Sequence, residues 1–589
     1  MNRIPVALAV SIGGLCCAVA GCSTRTDVSV TGNTPAQYSH VWITAQEVWF
    51  NTSAIAGPDD GGWVKFPLST PVTVDLVTES GGNLGSLVTG LKLAPGTYSQ
   101  VRLIPVDAAA PLTSSAQTAG ARYNTEADYV DSASATQQLP LELLNPDKGI
   151  GIRGTLKVPV GNVGAALAGT STTTTGTTLT ATTSNTTTPT TTPTTPTTTT
   201  TTTSFAITFD GARDLTPFTY AAATTPNGIL LSSHASAFDL SEVGGIQGQL
   251  TLTNLTGISS TAGLPAIEVS AQSLSADGTR HVVVSRTPVH ADGSFLLYPL
   301  ATSSSTPADY DLVIHGPGIA TIIIKTVHVT LASSASTATT TSTEAAANAT
   351  TINPVSVGTL IPRAASAYTA NPAPASGTAL PAGAQIAFYQ TLATAGEVPY
   401  VIEASPIDPF NQVLASPQAL STGTVDSGTY SASGASVTLV SAAPAEHAGG
   451  YLVAASAPSF TDGPLTTTVS AGTTTPVVPG LTLAPGVTSG SISASVIQAT
   501  AGKYDHGELL VTHDGALVAT APLNTALAQG AGATITVNGL PTGTSAALYY
   551  VSVRAWSLRN ASVKLQRQSY PTAIDLRGSA TGAVQVTIN

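Results

Sequence analysis

From Asp27 to Asn589 no stretch of this chain sustains an apolar period of 3.6 residues. Apolar residues alternate instead in short runs broken by Gly, Pro, Asn and Asp, the pattern of half-buried strands joined by turns. Val41-Trp42-Ile43-Thr44-Ala45-Gln46-Glu47-Val48-Trp49-Phe50 is β-branched and aromatic, and its alternation changes phase at Gln46-Glu47, which predicts a bulge or kink. A regular strand would put Trp42 and Trp49 on opposite faces; a bulged one puts them on the same face. The loop Gly57-Pro58-Asp59-Asp60-Gly61-Gly62 then turns the chain into Trp63-Val64-Lys65-Phe66, a hairpin. After the tight turn Pro95-Gly96, strict alternation sets Tyr98, Gln100 and Arg102 on one face and Val101 and Leu103 on the other. The fold class is all-β.

The strand grammar continues downstream in units. Gly244–Leu252 opens a new alternating strand, followed by Ala266–Val269, His281–Val284, Asp292–Leu297 and Tyr310–Ile314 with Asp-Gly turns, as in a small Greek-key sandwich. A Thr/Ala-rich linker covers 333–352, and β-rich stretches fill 353–482 and 483–589. The last opens with Ser489-Gly490-Ser491-Ile492-Ser493-Ala494, echoing the opening at Gly245. Its Leu540-Pro541-Thr542-Gly543 before Tyr549–Trp556 repeats the turn and Tyr-led strand of residues 93–103. Such echoes describe serial immunoglobulin-like or prealbumin-like β-sandwiches. Residues 169–204 are nearly pure Thr with Pro189, Pro193 and Pro196. That segment cannot bury enough apolar surface to fold, and it reads as a disordered insertion within the first sandwich, with hydroxyls available for O-glycosylation.

At the N-terminus, Arg3 precedes an apolar run from Ile4 to Ala20, which suits an export signal over residues 1–21 better than a membrane-spanning helix. Val19-Ala20-Gly21-Cys22 resembles the lipobox of bacterial lipoproteins, which implies a diacylglycerol thioether on Cys22 and a short tether over 22–26. The alternative is an ordinary signal peptide cut near Ala20. Cys16, Cys17 and Cys22 are the three cysteines of the chain, so no disulfide framework can form downstream. Ser23 after the anchor cysteine implies, by the same resemblance, sorting to the outer membrane. Two or more acyl chains make a durable tether where one does not. Composition fits life outside the cytoplasm: 9% of residues are charged, leaving the surface to Thr, Ser, Ala and Gly. The net charge of −12 argues against nucleic acid as a partner.

The order of a Val-rich strand ending in Glu47-Val48, then Asp75-Leu76, then Leu93-x-Pro-Gly-x-Tyr-x-Gln-x-Arg-Leu103 resembles the DUF4382 family of bacterial envelope proteins. Gly149–Ile152 and Phe205–Asp210 are similar to that family's closing strands. One departure is the lack of an Asp-Ala-Pro between Asp27 and Val41. The resemblance implies a β-sandwich over 27–243 and no particular activity. Over 244–332, G-x-I-x-G, Asp-Gly-Ser-Phe and Tyr-Asp-Leu-Val-Ile resemble the carboxypeptidase regulatory-like, or transthyretin-like, domain, which is accessory and not catalytic.

Chemistry is sparse. The chain has no G-x-S-x-G elbow and no His-Glu-x-x-His, and without downstream cysteines zinc is disfavoured. His281, His315 and His328 fall on strands, as surface or partly buried side chains. Asp59 and Asp60 in the Gly-rich loop, and Glu126, Asp128 and Asp131 near Tyr129, are candidate oxygen ligands for Ca²⁺, set against the simpler reading of solvated acidic loops. Trp42, Trp49 and Trp63 are candidates for a glycan-stacking platform, set against strand packing. No other cofactor is expected. The function expected is a non-catalytic, lipid-anchored envelope protein that binds a protein or glycan. The alternatives are a periplasmic structural or assembly scaffold and, further off, a hydrolase.

Overall fold

The long strand β2 (Tyr38–Asn51) shows how the first unit is built. Its ladders to both neighbours slip between Ala45 and Glu47, so the phase change in the sequence is a β-bulge. Val41, Ile43 and Ala45 before the bulge and Val48 and Phe50 after it therefore enter one core. The bulge also lets one strand serve three partners, antiparallel in each case. These are β3 (Val64–Asp75), β5 (Gly96–Pro105) on the C-terminal half and β6 (Thr125–Val130) on the N-terminal half.

In this computed structural model the residues described are 24–130, 135–159, 202–218, 226–251, 266–331 and 355–589. Residues 233, 304–306, 317, 360–364, 369–372, 375–378, 415–417, 422, 432–436, 447–449, 471–476, 529–532, 544–546, 561–562 and 564 within those spans are not described. The signal and lipobox, Asp131, residues 169–201 of the Thr/Pro tract and the linker 333–352 thus lie outside the described residues, while Thr202, Thr203 and Ser204, read as the end of that tract, are strand instead, paired with Arg25, Thr26 and Asp27.

The remaining strands of the first unit are β1 (Thr24–Asn33), β4 (Gly85–Leu93), β7 (Thr136–Glu142), β8 (Ile150–Val158), β9 (Thr202–Asp210), β10 (Leu215–Phe218), β11 (Gly228–Leu231) and β12 (Ser236–Asp239). They form one sheet in the order β10-β11-β7-β6-β2-β5-β8-β12-β9-β1-β4, with β3 branching from β2. The strands after the Thr-rich tract are integral to this sheet: β9 runs parallel to β1 over nine residue pairs. Strict alternation fails on β5. A slip against β8 between Tyr98 and Gln100 turns Tyr98 into the core beside Val101 and Leu103, while Gln100 and Arg102 stay on the other face.

The second unit comprises β13 (Val243–Thr251), β14 (Glu268–Leu274), β15 (His281–Pro288), β16 (Ser294–Ala301), β17 (Ala308–His315) and β18 (Ile322–Val329). It does not end at the linker, as the sequence reading has it. β13 takes β19 (Val355–Thr359) as a parallel neighbour, and β18 takes Val425–Thr429, which pairs in turn with Val440–Ala442. The apolar runs Leu312-Val313-Ile314 and Ile322-Ile323-Ile324 explain why. Leu312, Ile314, Ile322 and Ile324 fill the core of this unit, whereas Val313 and Ile323 face Ile386, Phe388 and Tyr451 of the next. A sheet covered on both faces needs continuous apolar runs, and here the second and third units share one.

The last unit is a sandwich of two sheets. One has the order Ala533–Thr542, Thr488–Gln498, Thr581–Ile588; the other has Ala516–Pro522, His506–His513, Leu548–Trp556, Gln566–Ser569. The first, second and last units share an opening device. β1, β13 and Thr488–Gln498 each pair antiparallel on one side and parallel on the other.

A cleft between the third and last units, and the latches that hold it

The tryptophans are on one face, as a bulged β2 requires, and that face is covered. Trp42 is buried against Ala116 and Ala121 at the short helix α1 (Ser114–Ala119), with His40 stacked 4.5 Å away. Trp49 is also buried; its indole N–H donates to Glu47, and the Lys65 ammonium sits 3.6 Å from its ring. Trp63 is half-buried and donates to Gly57 O at 2.8 Å. None of the three offers an open stacking platform. They are packing residues.

The acidic candidates are likewise engaged elsewhere. Glu126 is buried and accepts the backbone N–H groups of Arg122 and Tyr123; burial foremost, and Asp128 beside it, push its carboxyl upward. A carboxyl held toward its neutral form is a poor Ca²⁺ ligand. Asp59 accepts from Lys148 Nζ at 2.8 Å and from the Tyr550 hydroxyl at 2.9 Å. Asp60 accepts from Gly57 N and pairs with Arg577 at 3.4 Å. Among the described residues no group of three or more His, Cys, Asp or Glu is placed to hold a metal. Of the strand histidines, His328 is exposed, whereas His281 and His315 are buried at junctions between units.

Tyr550 and Arg577 belong to the last unit, so the Gly-rich loop of the first unit is part of a contact that sequence reasoning missed. Arg102 on β5 is fully buried. Its Nη2 donates to Asp514 Oδ1 at 2.7 Å and its Nη1 to Lys148 O at 2.9 Å. Asp514 and Gly515 have φ of 49° and 89°, making the left-handed turn that joins His506–His513 to Ala516–Pro522. The turn enters against Gly151, where a Cβ would lie 2.8 Å from Asp514 Cγ. Burial works to raise the Asp514 carboxyl, but His513, Arg102 and Arg153 outweigh it and hold it below its ordinary range.

The reverse contact is made by Arg554 of the last unit, 1% exposed. It donates to Glu142 of β7 at 3.1 Å and to Glu508 at 2.7 Å, and lies 4.5 and 4.8 Å from the rings of Phe218 and Phe410, which meet edge to face. Arg567 adds a second contact to Glu142, and Asn145 donates to Thr512 at 2.7 Å. Each end of the chain thus sends an arginine into the other.

Beside these latches opens a cleft of about 780 Å³. Leu380, Phe410, Phe460 and Leu481 form its third-unit wall; His513, Tyr549 and the strands Ala516–Pro522 and Ala533–Thr542 form the other. Phe410 belongs to both the cleft and the surroundings of Arg554, and His513 adjoins Asp514, so both latches border the cleft. Among the described residues no Asp, Glu, Lys or Arg lines it. His513 Nδ1 is 2.9 Å from Leu548 O and its Nε2 is 3.3 Å from Asp514; the Tyr549 hydroxyl donates to Pro541 O. These groups are committed to holding the walls. A concave, mostly apolar site of this size is the form that ligand sites take.

Residues 23–219 match the model of a family described as a domain of unknown function, DUF4382. The chain matches none of the curated proteins. Solved structures with some likeness include the Bacillus anthracis TIE protein, at 8% identity over 97% of this chain and 74% of that one, TM-score 0.14. The pilus adhesin SpaC from Lactobacillus rhamnosus GG gives 10% identity over 63% and 45%, TM-score 0.14. Two B repeat units of the collagen-binding protein of Staphylococcus aureus give 9% identity over 96% and 99%, TM-score 0.12. Likenesses this slight decide nothing about this chain.

Proposed function

We propose, taking residues 23–219 as a DUF4382 domain, that this chain is a lipid-anchored, non-catalytic protein of the cell envelope that binds a macromolecular ligand. The observation that carries the reading is the cleft: a large, mostly apolar recess without a charged side chain among its described lining residues. Cys22 supplies the anchor in this reading, through diacylglycerol, and the β units carry the cleft away from the membrane. The lack of acidic or basic lining favours a ligand held by shape, backbone contacts and apolar burial over one held by charge.

The test is protease shaving of intact cells, followed by detection of the C-terminal unit. Loss of that unit with a periplasmic control intact supports a surface-facing binding protein; full protection sinks it. Cys22→Ala should in parallel shift the protein from the membrane to the soluble fraction and abolish labelling by a fatty-acid analogue. A second reading, a periplasmic scaffold, draws on the two buried arginine latches, which make a stiff body of units that could have hung as beads. Under that reading the chain is protected from protease and cross-links to envelope partners.

A further inference from the structure

The first three units meet around a second cavity, of about 320 Å³, which the reading above does not use. Among the described residues its lining shares Pro458 alone with the cleft. One side is apolar: Ala387, Tyr389, Val401 and Ala404 belong to a buried cluster on which Val283 packs. The other side is polar and carries Arg213, His234 and Arg286, which also line an adjoining recess of about 70 Å³.

The two arginines differ in how their charge is met. Arg286 is buried with Asp210 and Glu268 each 3.3 Å away. Arg102 and Arg554 likewise meet a carboxylate, at 2.7 Å. Arg213, in the helical turn Gly211–Asp214, is half-buried, and among the described residues it pairs with no carboxylate within 4 Å. Its Nε is shut off from water without a hydrogen-bond partner. Asp214 is taken by His234, 3.1 Å away, and by the Asp210 N–H. The Asp210 carboxyl is pushed upward by burial, against the pull of Arg286 and Arg213, and so compensates Arg213 poorly. In a chain with 32 Asp and Glu against 20 Lys and Arg, an arginine left without a carboxylate is an anomaly. Gln385 on the same cavity repeats the shortage: it is 8% exposed, and its buried Nε2 has no acceptor. Buried donors without acceptors cost free energy, which an incoming acceptor would recover.

The acceptor that fits is a carboxylate. A guanidinium presents paired N–H donors in one plane, matching the two oxygens of a carboxylate. One unmet charge calls for a monoanion, and the wall of Val283, Ala387, Val401 and Ala404 calls for an apolar body behind it. A phosphate dianion would set a second negative charge beside Asp462, the one carboxylate of the described lining, and would leave the apolar wall bare. We infer that this cavity binds a carboxylate carried on a short apolar body, held by Arg213. A free branched-chain acid and the C-terminal residue of a peptide both supply that group.

The experiment titrates the full chain by isothermal calorimetry with isovalerate and isovaleramide, and with N-acetyl-Gly-Gly-Val and its C-terminal amide. Saturable binding of at least one acid is expected, with affinity at least tenfold lower for the matching amide, the worth of one charge-assisted hydrogen bond. Acids of similar affinity, or a tighter isovalerate, assign the site to a free acid. A tripeptide at least tenfold tighter assigns it to a chain terminus, and either result supports the carboxylate site. Arg213→Gln gives up no ion pair, so it should keep the melting temperature and lose at least tenfold in affinity for the acid. Arg213→Lys, which keeps the charge without the planar fork, should lose less. Acid and amide binding alike, unchanged affinity in Arg213→Gln, or no binding at millimolar probe overturns the inference. The comparison of acid with amide uses the unaltered chain and is independent of how the variants fold.

Discussion

Arg102 Nη2 and Asp514 Oδ1 meet at 2.7 Å across 412 positions of sequence, and Arg554 and Glu142 return the contact over the same separation. An isolated buried charge is far costlier than a buried pair, so each arginine makes the docking of first and last units close to all-or-none. Asp514→Asn should therefore cost about 3 kcal/mol, the range seen when one partner of a buried pair is removed. Adding Arg102→Met to Asp514→Asn, which keeps a residue that tolerates the left-handed turn, should recover much of that. Urea unfolding of the single and double variants checks both; equal losses would mean that the pair is not desolvated in solution.

Arg554 tests geometry where Arg102 tests charge. Its guanidinium spans Glu142 and Glu508 while packing beside the paired rings of Phe218 and Phe410. A lysine ammonium is a point donor that cannot do both. Arg554→Lys should cost about 2 kcal/mol, the value of one or two hydrogen bonds to charged groups. It should also widen the cleft through Phe410, read as faster exchange at the Tyr549–Val551 amides. A melting temperature equal to that of the unaltered chain would count against the latch.

The local parts of this structure were legible and the distant ones were not. The bulge of β2 could be read because apolar residues on both sides of Gln46-Glu47 record the phase. The slip that buries Tyr98 left no such trace, since Ser99 is small and tolerated on either face. The sheet shared by the second and third units was hidden because a doubly buried strand reads like any short apolar run. The latches pair residues over 400 positions apart, beyond any spacing rule. One signal was present. Tyr98-Ser-Gln-Val-Arg102 and Tyr550-Val-Ser-Val-Arg554 share a Tyr-x-x-x-Arg spacing on strands already read as echoes, and these are the two latch arginines.

Trp42 separates the packing role from the glycan role proposed for it on sequence grounds. It anchors α1 through Ala116 and Ala121, beneath a stacked His40. Trp42→Ala should cost about 3 kcal/mol by lost burial and cavity formation. Retention of any glycan by the soluble chain should be unaffected. Glycan-array binding lost in this variant, with stability intact, would restore the platform reading.

The junction of the first three units gives a prediction about pH. His315 faces Glu268 at 3.5 Å and Glu403 at 3.7 Å, and Arg286 lies 3.3 Å from both Asp210 and Glu268. Burial lowers the His315 imidazole, but the two carboxylates outweigh it and raise it above its ordinary 6.5. Stability from a raised histidine is complete below its unfolded pKa and is lost as pH rises through the folded one. Asp210 and Glu403 are pushed up, chiefly by burial, so their ionisation also opposes the packed state as pH rises. Glu268 runs the other way. Burial raises it, but Arg286 and His315 hold it below its ordinary 4.5, so its contribution is lost as pH falls through that lower value. The junction should therefore be tightest between these limits, with the melting temperature falling as pH rises past the ordinary histidine value of 6.5 and falling again in strong acid. His315→Gln keeps a polar side chain without the charge and should flatten the alkaline side of that profile. Scanning calorimetry of both chains across the range is the check. An unchanged slope in the variant would mean that another group governs the packing of the three units.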